Sequence, residues 1–360
     1  MVSLSCQQLI NTMKTYDNAC ADKMIRSASK LVLAEKEEAH EENGVLFWIN
    51  KSGFPIDDHT WDRMWEHASK IHPQGHDIVC NIRHRSDLPQ IPVPQAPLSF
   101  GVTLSVQERL KKIQDYMNDL QYNHTGTQFY EIRKNRPISG LMESAREMIR
   151  EALPIKCLEA VILGIFLTNG MMGVERFTLS FKTVFNGHTH RHVVLGISYG
   201  GQYGALGMSR RTDLMYKPLE FKSLADLIYD FEHCYKQYWH EVKKVKVGLP
   251  VIHDQHSYEV INWKALMVSM DKASKKEIVR DLDSHARRMK SFSKSWTSGP
   301  YSTLKMLSTA ESNKVVQASV DTAPAKLRRA KSTLCQSPVA VRKKSTSSSV
   351  PLDIDYQIRI

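Results

Sequence analysis

Leu153-Pro154-Ile155-Lys156-Cys157-Leu158-Glu159-Ala160-Val161-Ile162-Leu163-Gly164-Ile165-Phe166-Leu167-Thr168 is the stretch on which the fold turns. Pro154 stops one helix and starts the next, because the first helical position needs no amide donor. The helix so predicted, Ile155 to Thr168, is apolar nearly all round, so it has no face for water and belongs at the centre of a domain. Cys157 falls in its first turn, where unpaired backbone N–H groups and the helix dipole favour a thiolate. Lys156 adds a second positive influence, and a backbone N–H lies beside the sulfur, as an oxyanion hole requires. A cysteine is in general just a small buried apolar residue. Position sets Cys157 apart: Cys6, Cys20 and Cys335 fall in segments read as mobile, and Cys234 falls mid-helix.

Upstream of this stretch the pattern is helical. Residues 1–42 are polar with weak helical periodicity and read as a mobile or marginally helical extension. Order begins at Gly44-Val45-Leu46-Phe47-Trp48-Ile49. Asp57 or Asp58 then caps a helix carrying Trp61, Met64, Trp65, Ala68 and Ile71 on one stripe, ended by Pro73-Gln74-Gly75. Leu88 to Pro97 is a proline-rich connector with no room for a long helix. Ser105 and Glu108 form a capping box, and Val106, Leu110, Ile113, Met117 and Leu120 keep helical spacing. A short strand is predicted over Thr127 to Ile132 and another helix over Leu141 to Leu153.

Downstream the period changes to two. Phe177, Leu179 and Phe181 alternate, as do His190, His192, Val194 and Gly196, and Gly200-Gly201 turns that strand into Gln202 to Ser209. Ser223 opens an amphipathic helix (Leu224, Leu227, Ile228, Phe231, Tyr235, Tyr238, Trp239), and Ser274 to Glu277 cap a last one. Beyond about Ser291 the chain is rich in Ser, Thr, Lys and Arg and reads as disordered. Helices, one buried helix and then an antiparallel sheet make an α+β fold. The domain boundaries follow: an extension (1–42), a helical layer (43–150), a core (151–290) and a basic tail (291–360).

The 360 residues are 42% hydrophobic and carry a formal charge of +11, which at first suggests a nucleic-acid binder. Between Ala286 and Val350, however, stand 13 Lys and Arg against two acids, Glu311 and Asp321, so this segment accounts for the whole surplus. The rest of the chain has no net charge, and nucleic acid is not the expected partner. The longest apolar run, Ala160 to Leu167, is too short for a membrane span. The first ten residues lack the features of a secretory signal. The six scattered cysteines include no CxxC pair, which argues against a disulfide framework and fits a reducing cytosol.

A nucleophilic cysteine needs an imidazole. His188, His190 and His192 project from one strand face, which leaves two readings: a metal face, or one base with two bystanders. No carboxylate or cysteine lies nearby in sequence to complete a metal shell. His192 runs into Val193-Val194-Leu195 and is the most sheltered of the three. Ser209 has the chemistry to hydrogen-bond an imidazole, and Arg210 and Arg211 that to bind carboxylate; the alternative is a solvated dibasic strand end. Arg133, Lys134 and Arg136 form another cluster beside Tyr122 and Tyr130, which by itself reads first as a solvated edge. Trp61 and Trp65 are core residues or part of a groove for a partner helix.

Several motifs resemble the vasohibins. They are Leu120-Gln121-Tyr122-Asn123-His124-Thr125-Gly126-Thr127-Gln128-Phe129, the Leu153 to Ile165 run and Tyr203-Gly204-Ala205-Leu206-Gly207-Met208-Ser209-Arg210-Arg211. Gly53-Phe54-Pro55, Val242-Lys243-Lys244-Val245-Lys246 and the final Tyr356-Gln357-Ile358-Arg359-Ile360 fit too, and the match is continuous over about 43–290. The resemblance implies a transglutaminase-like (papain-like) cysteine protease core with an N-terminal helical layer. It further implies tyrosine carboxypeptidase activity on α-tubulin and a role in regulating angiogenesis. An obligate small helical partner, the small vasohibin-binding protein, is implied as well. Carried over by motif, Cys157, His192 and Ser209 are catalytic. Tyr122 lies near the nucleophile, Lys156 and Arg210 receive the terminal carboxylate, and Lys134 and Arg136 line a groove for an acidic tail. Thr189 and His190 depart from the family's common sequence. No metal or organic cofactor is required by this chemistry. The implied place of action is the cytoplasm, at microtubules, with secretion requiring a route without a signal peptide. The rival reading is a non-catalytic binder of microtubules or other polyanions through the basic tail.

Overall fold

A computed structural model describes residues 39–42, 45–72, 74–88 and 90–298. Strands β1 (Ala39–Glu42) and β2 (Val45–Ile49) precede helix α1 (Asp58–Ile71), which Asp57 caps by accepting the Thr60 N–H at 2.7 Å. Helix α2 (Gly75–Arg83) follows after three residues, and the described residues of the proline-rich connector form neither helix nor strand. Helix α3 (Val106–Leu120) starts at the predicted capping box, with Ser105 and Glu108 satisfying each other's backbone N–H groups. Then come β3 (Thr127–Gln128), α4 (Ile138–Glu151) and the apolar helix α5 (Cys157–Leu167). The second half supplies β4 (Glu175–Phe185), β5 (His188–Tyr199), β6 (Gln202–Leu206), a 3-10 turn (Thr212–Leu214) and β7 (Lys217–Phe221). Helix α6 (Leu224–Gln237), β8 (Glu241–Val247), β9 (Leu266–Ser269) and α7 (Lys275–Ser298) complete the described chain.

The main sheet is antiparallel throughout, in the order β7-β6-β5-β4-β8-β9. A small second sheet pairs β2 with β1 antiparallel and with β3 parallel. Gly200 and Gly201 close the β5–β6 hairpin with φ of 59° and 83°, a conformation that disfavours any Cβ. Alternation along β5 divides the core. Val193, Leu195 and Ile197 pack with α3, α4 and α5, whereas Val194, with Phe177, Leu179 and Phe181 of β4, packs with α6 and α7. The sheet is therefore buried on both faces, which its apolar central strands require. Helix α5 lies against the first face with Val161, Ile162 and Leu163 all at 0% exposure, each contributing about 1.5–3 kcal/mol of burial. Its far end is tied down by Arg176, whose guanidinium donates to the carbonyls of Ile165 (3.1 Å) and Val251 (2.9 Å).

The α+β class and the antiparallel sheet stand as expected from the sequence; several boundaries do not. Helix α5 begins at Cys157, not at Pro154 or Ile155, because Ile155 is drawn into a bridge with Tyr122: its N–H goes to Gln121 and its carbonyl to the Asn123 N–H, both at 3.0 Å. Helix α4 runs Ile138–Glu151 instead of 141–153, and Ala152 ends it at φ 49°. The expected strand from Thr127 to Ile132 shrinks to Thr127–Gln128. Gly75, read as a helix stop, opens α2, where its missing Cβ allows an approach that would otherwise bring carbon within 2.5 Å of the Ser69 carbonyl. β7, β8 and β9 were not predicted. The last helix continues past Ser291, where disorder was expected, and part of the N-terminal extension is strand β1. The readings of residues 1–38 and 299–360, including most of the basic tail, lie outside the described residues. No helix among the described residues is long and apolar enough to cross a membrane.

Candidate active site

Cys157 is the first residue of α5 and is 1% exposed. The residue before it, Lys156, is extended (φ −107°, ψ −178°) and donates its N–H to the Glu159 carboxylate at 2.5 Å. The chain thus turns into the helix at the sulfur, with the positive end of the dipole beneath it. Burial, then Cys157, then Asp213 and Cys234 push the Tyr235 phenol well above its usual range. Tyr235 packs on Phe181, the cross-strand partner of His192. Cys157 itself packs in the same core cluster as Val193, the residue that follows His192 on β5.

His192 is part-buried, and its Nε2 lies 2.7 Å from the carbonyl of Leu214. A carbonyl only accepts, so Nε2 carries the proton and Nδ1 is the free base of the neutral ring. Burial depresses its pKa to about 4; the Leu214 bond opposes that shift and Arg210 adds to it. The ring is neutral at physiological pH, as a general base must be. Where the resemblance implied Ser209 as the imidazole's partner, the acceptor found is Leu214, and Ser209 Oγ accepts the Arg211 N–H at 3.2 Å. His188 and His190 do not join His192. His188 is exposed, and His190 packs against Phe185 and His240 with ring centroids 6.5 and 4.8 Å away. Among the described residues no three His, Cys, Asp or Glu side chains converge as a metal set.

The cationic and aromatic candidates divide. Tyr122 is 5% exposed, is held beside the nucleophile segment by its bridge to Ile155, and carries the exposed Arg210 guanidinium 5.9 Å from its ring. Lys156 is 1% exposed, and its ammonium lies 2.9 Å from the Phe47 ring centroid. Sequence alone does not show that the side chain next to Cys157 turns inward. Lys134 stacks on Trp263 at 5.2 Å while its carbonyl accepts the indole N–H at 3.0 Å. Arg136 donates to Ser144 at 3.4 Å and pairs with Glu143 at 3.8 Å, which draws it toward α4. Sequence reasoning missed a basic strip that includes Lys134. The Lys246 pKa is lowered by burial and then by Lys264, Lys134, Arg191 and Lys244 together. The alternation from Lys244 to Val247, with Val245 and Val247 buried and Lys244 and Lys246 less so, was its legible signal.

Four histidines share one consequence. Burial holds His67, His192, His240 and His253 each at about 4. A base with a folded pKa below its unfolded value, near 6.5, binds fewer protons when folded. Stability is expected to be at its full value above about pH 6.5 and to fall steadily toward pH 4, as the unfolded chain gains protons that the folded one refuses. Melting temperatures measured from pH 7.5 to 4.5 check this; a flat profile would contradict the burial assigned to these rings.

A cysteine at a helix N-terminus and a neutral imidazole on a strand of the adjoining sheet define a candidate thiol-hydrolase site. The vasohibin family model matches residues 45–290, and the chain belongs to the vasohibin family. It is 54% identical over 256 residues to the mouse protein named tubulinyl-Tyr carboxypeptidase 1, covering 71% of this chain and 68% of that relative.

Proposed function

We propose that the protein is a cysteine carboxypeptidase that removes the C-terminal tyrosine of α-tubulin, on a transglutaminase-like core. Two observations support the reading: Cys157 stands at the N-terminus of α5, and the sheet packed on that helix carries an imidazole whose Nε2–H is held by the Leu214 carbonyl. The activity printed in the mouse relative's name supplies the substrate. In the proposed reaction His192 Nδ1 takes the thiol proton, and Cys157 attacks the carbonyl of the residue before the terminal tyrosine. The tetrahedral oxyanion is stabilised by the Cys157 N–H, with the Tyr122 hydroxyl close by. Collapse expels tyrosine, which leaves with the proton from His192; water, deprotonated by the same ring, then releases the shortened chain. Ser209 and Leu214 belong to the segment after β6 that holds the ring. Arg210 receives the free carboxylate, with Lys156 shaping the floor beneath it. Lys134 and Arg136 attract the glutamate-rich tail by charge.

The same family reading supplies a small helical partner, the small vasohibin-binding protein, and places the enzyme on cytoplasmic microtubules. Co-expressed with that partner, the chain is expected to convert tyrosinated microtubules to the detyrosinated form, read by mass spectrometry of the tubulin tails. Unchanged tails would remove the proposal. Arg210→Met is expected to raise KM about tenfold with a smaller effect on kcat, as loss of one charge-assisted carboxylate contact requires. Steady-state kinetics on a short peptide ending in Glu-Glu-Tyr test it, and an unchanged KM would take Arg210 out of the binding site.

A further inference from the structure

His192 owes its orientation to a backbone atom, and a backbone acceptor is only as well placed as the segment that carries it. Leu214 closes the 3-10 turn Thr212–Leu214. That turn is gripped by the end of α6. The Tyr238 hydroxyl, on the residue that caps α6, donates to Asp213 Oδ1 at 3.0 Å. The same phenol ring carries the Arg211 guanidinium 4.7 Å from its centroid, just ahead of the turn. Tyr238 is fixed in its own right, its N–H donating to the Tyr235 carbonyl at 3.1 Å. Leu214 is 6% exposed and packs in the core between the sheet and α6.

We propose that Tyr238 and Asp213 are positioning residues for the catalytic imidazole: their hydrogen bond locks the Thr212–Leu214 turn so that the Leu214 carbonyl holds the His192 Nε2–H, leaving Nδ1 for Cys157. The proposal rests on the reading of His192 as the general base. Its action is geometric. The charge that reaches His192 comes from Arg210 and its hydrogen bond from Leu214, whereas the Asp213 carboxylate accepts from Tyr238. A side-chain third member of a catalytic triad is anchored by its own rotamer. A carbonyl at the end of a single short turn needs an outside anchor, and the phenol–carboxylate bond provides it.

The test uses the full chain co-expressed with its small helical partner and a peptide ending in Glu-Glu-Tyr. Tyr238→Phe keeps the ring under Arg211 and removes only the hydroxyl; it is expected to lower kcat about tenfold while KM stays within about twofold. Asp213→Ala is expected to fall equally, and the double variant no further, since both remove one bond. Asp213→Asn keeps an acceptor oxygen without the charge and is expected to recover most of the lost rate. In parallel, the spectrum of 15N-histidine-labelled protein reports the His192 tautomer without any substrate. It is expected to show Nε2–H alone in the wild type and a mixture in Tyr238→Phe. A wild-type kcat together with an unchanged tautomer in Tyr238→Phe would overturn the proposal, and so would an Asp213→Asn variant as slow as Asp213→Ala. A wild type that releases no tyrosine overturns the carboxypeptidase reading instead, and the imidazole spectrum then decides the positioning of His192 by itself.

Discussion

Cys157→Ala is expected to lower tyrosine release by at least about 10⁴-fold while leaving the fold intact. The first part follows from the chemistry: a covalent mechanism has no second route once its nucleophile is gone, and only weak background catalysis remains. The second follows from packing. Cys157 sits at the first position of α5, where alanine is a good helix former, and the substitution removes one sulfur from a site flanked by Tyr122, Ile155 and Leu158. The stability cost should stay near about 1 kcal/mol. Kinetics and thermal melts on the same preparation separate the two. Residual activity within tenfold of wild type would eliminate Cys157 as the nucleophile.

The second large effect belongs to His192. His192→Gln is expected to lower kcat about 10²–10⁴-fold, the range for losing a positioned general base. Glutamine keeps an amide N–H able to reach the Leu214 carbonyl, so the turn that takes the 2.7 Å bond need not move. The loss should fall on kcat more than on KM, because the ring acts on the proton and not on the terminal carboxylate. An iodoacetamide titration of Cys157 across pH adds an independent reading. Without the imidazole to accept its proton, the thiol should be alkylated more slowly at a given pH. Equal alkylation profiles in the two proteins would show that His192 and Cys157 do not work as a pair.

Much of this arrangement could be read before the structure. Helix α5 announced itself by an apolar run with no polar face, and Cys157 by its place at the head of that run. The capping boxes of α3 and α6 and the Gly200-Gly201 turn were equally plain, because each depends on a few residues close in sequence. What was missed depends on distant contacts. β8 carries Lys243, Lys244 and Lys246 and becomes a strand only because β4 and β9 pair with it, and a bulge opposite Lys182/Thr183 leaves Lys243 unmatched in the β4 register and breaks the alternation within β8. Gly75 looks like a terminator until its close approach to Ser69 is seen. The Leu214 carbonyl has no signature at all, since every residue has one; the family motif pointed to Ser209, five residues earlier. Lys156 shows the same limit from the other side. Its charge is legible, but its direction, inward onto Phe47, is decided by β2.

The central claim is that this chain uses a thiol to cut one residue from a free carboxyl terminus. Two peptides ending in Glu-Glu-Tyr, one with a free acid and one amidated, put that claim to a direct measurement with the chain and its small partner. Free tyrosine, followed by mass spectrometry, should accumulate from the acid, stop when the thiol is alkylated, and be released at least about a hundredfold more slowly as its amide from the blocked peptide. Equal cleavage of both peptides, or release that continues after alkylation of Cys157, would contradict it.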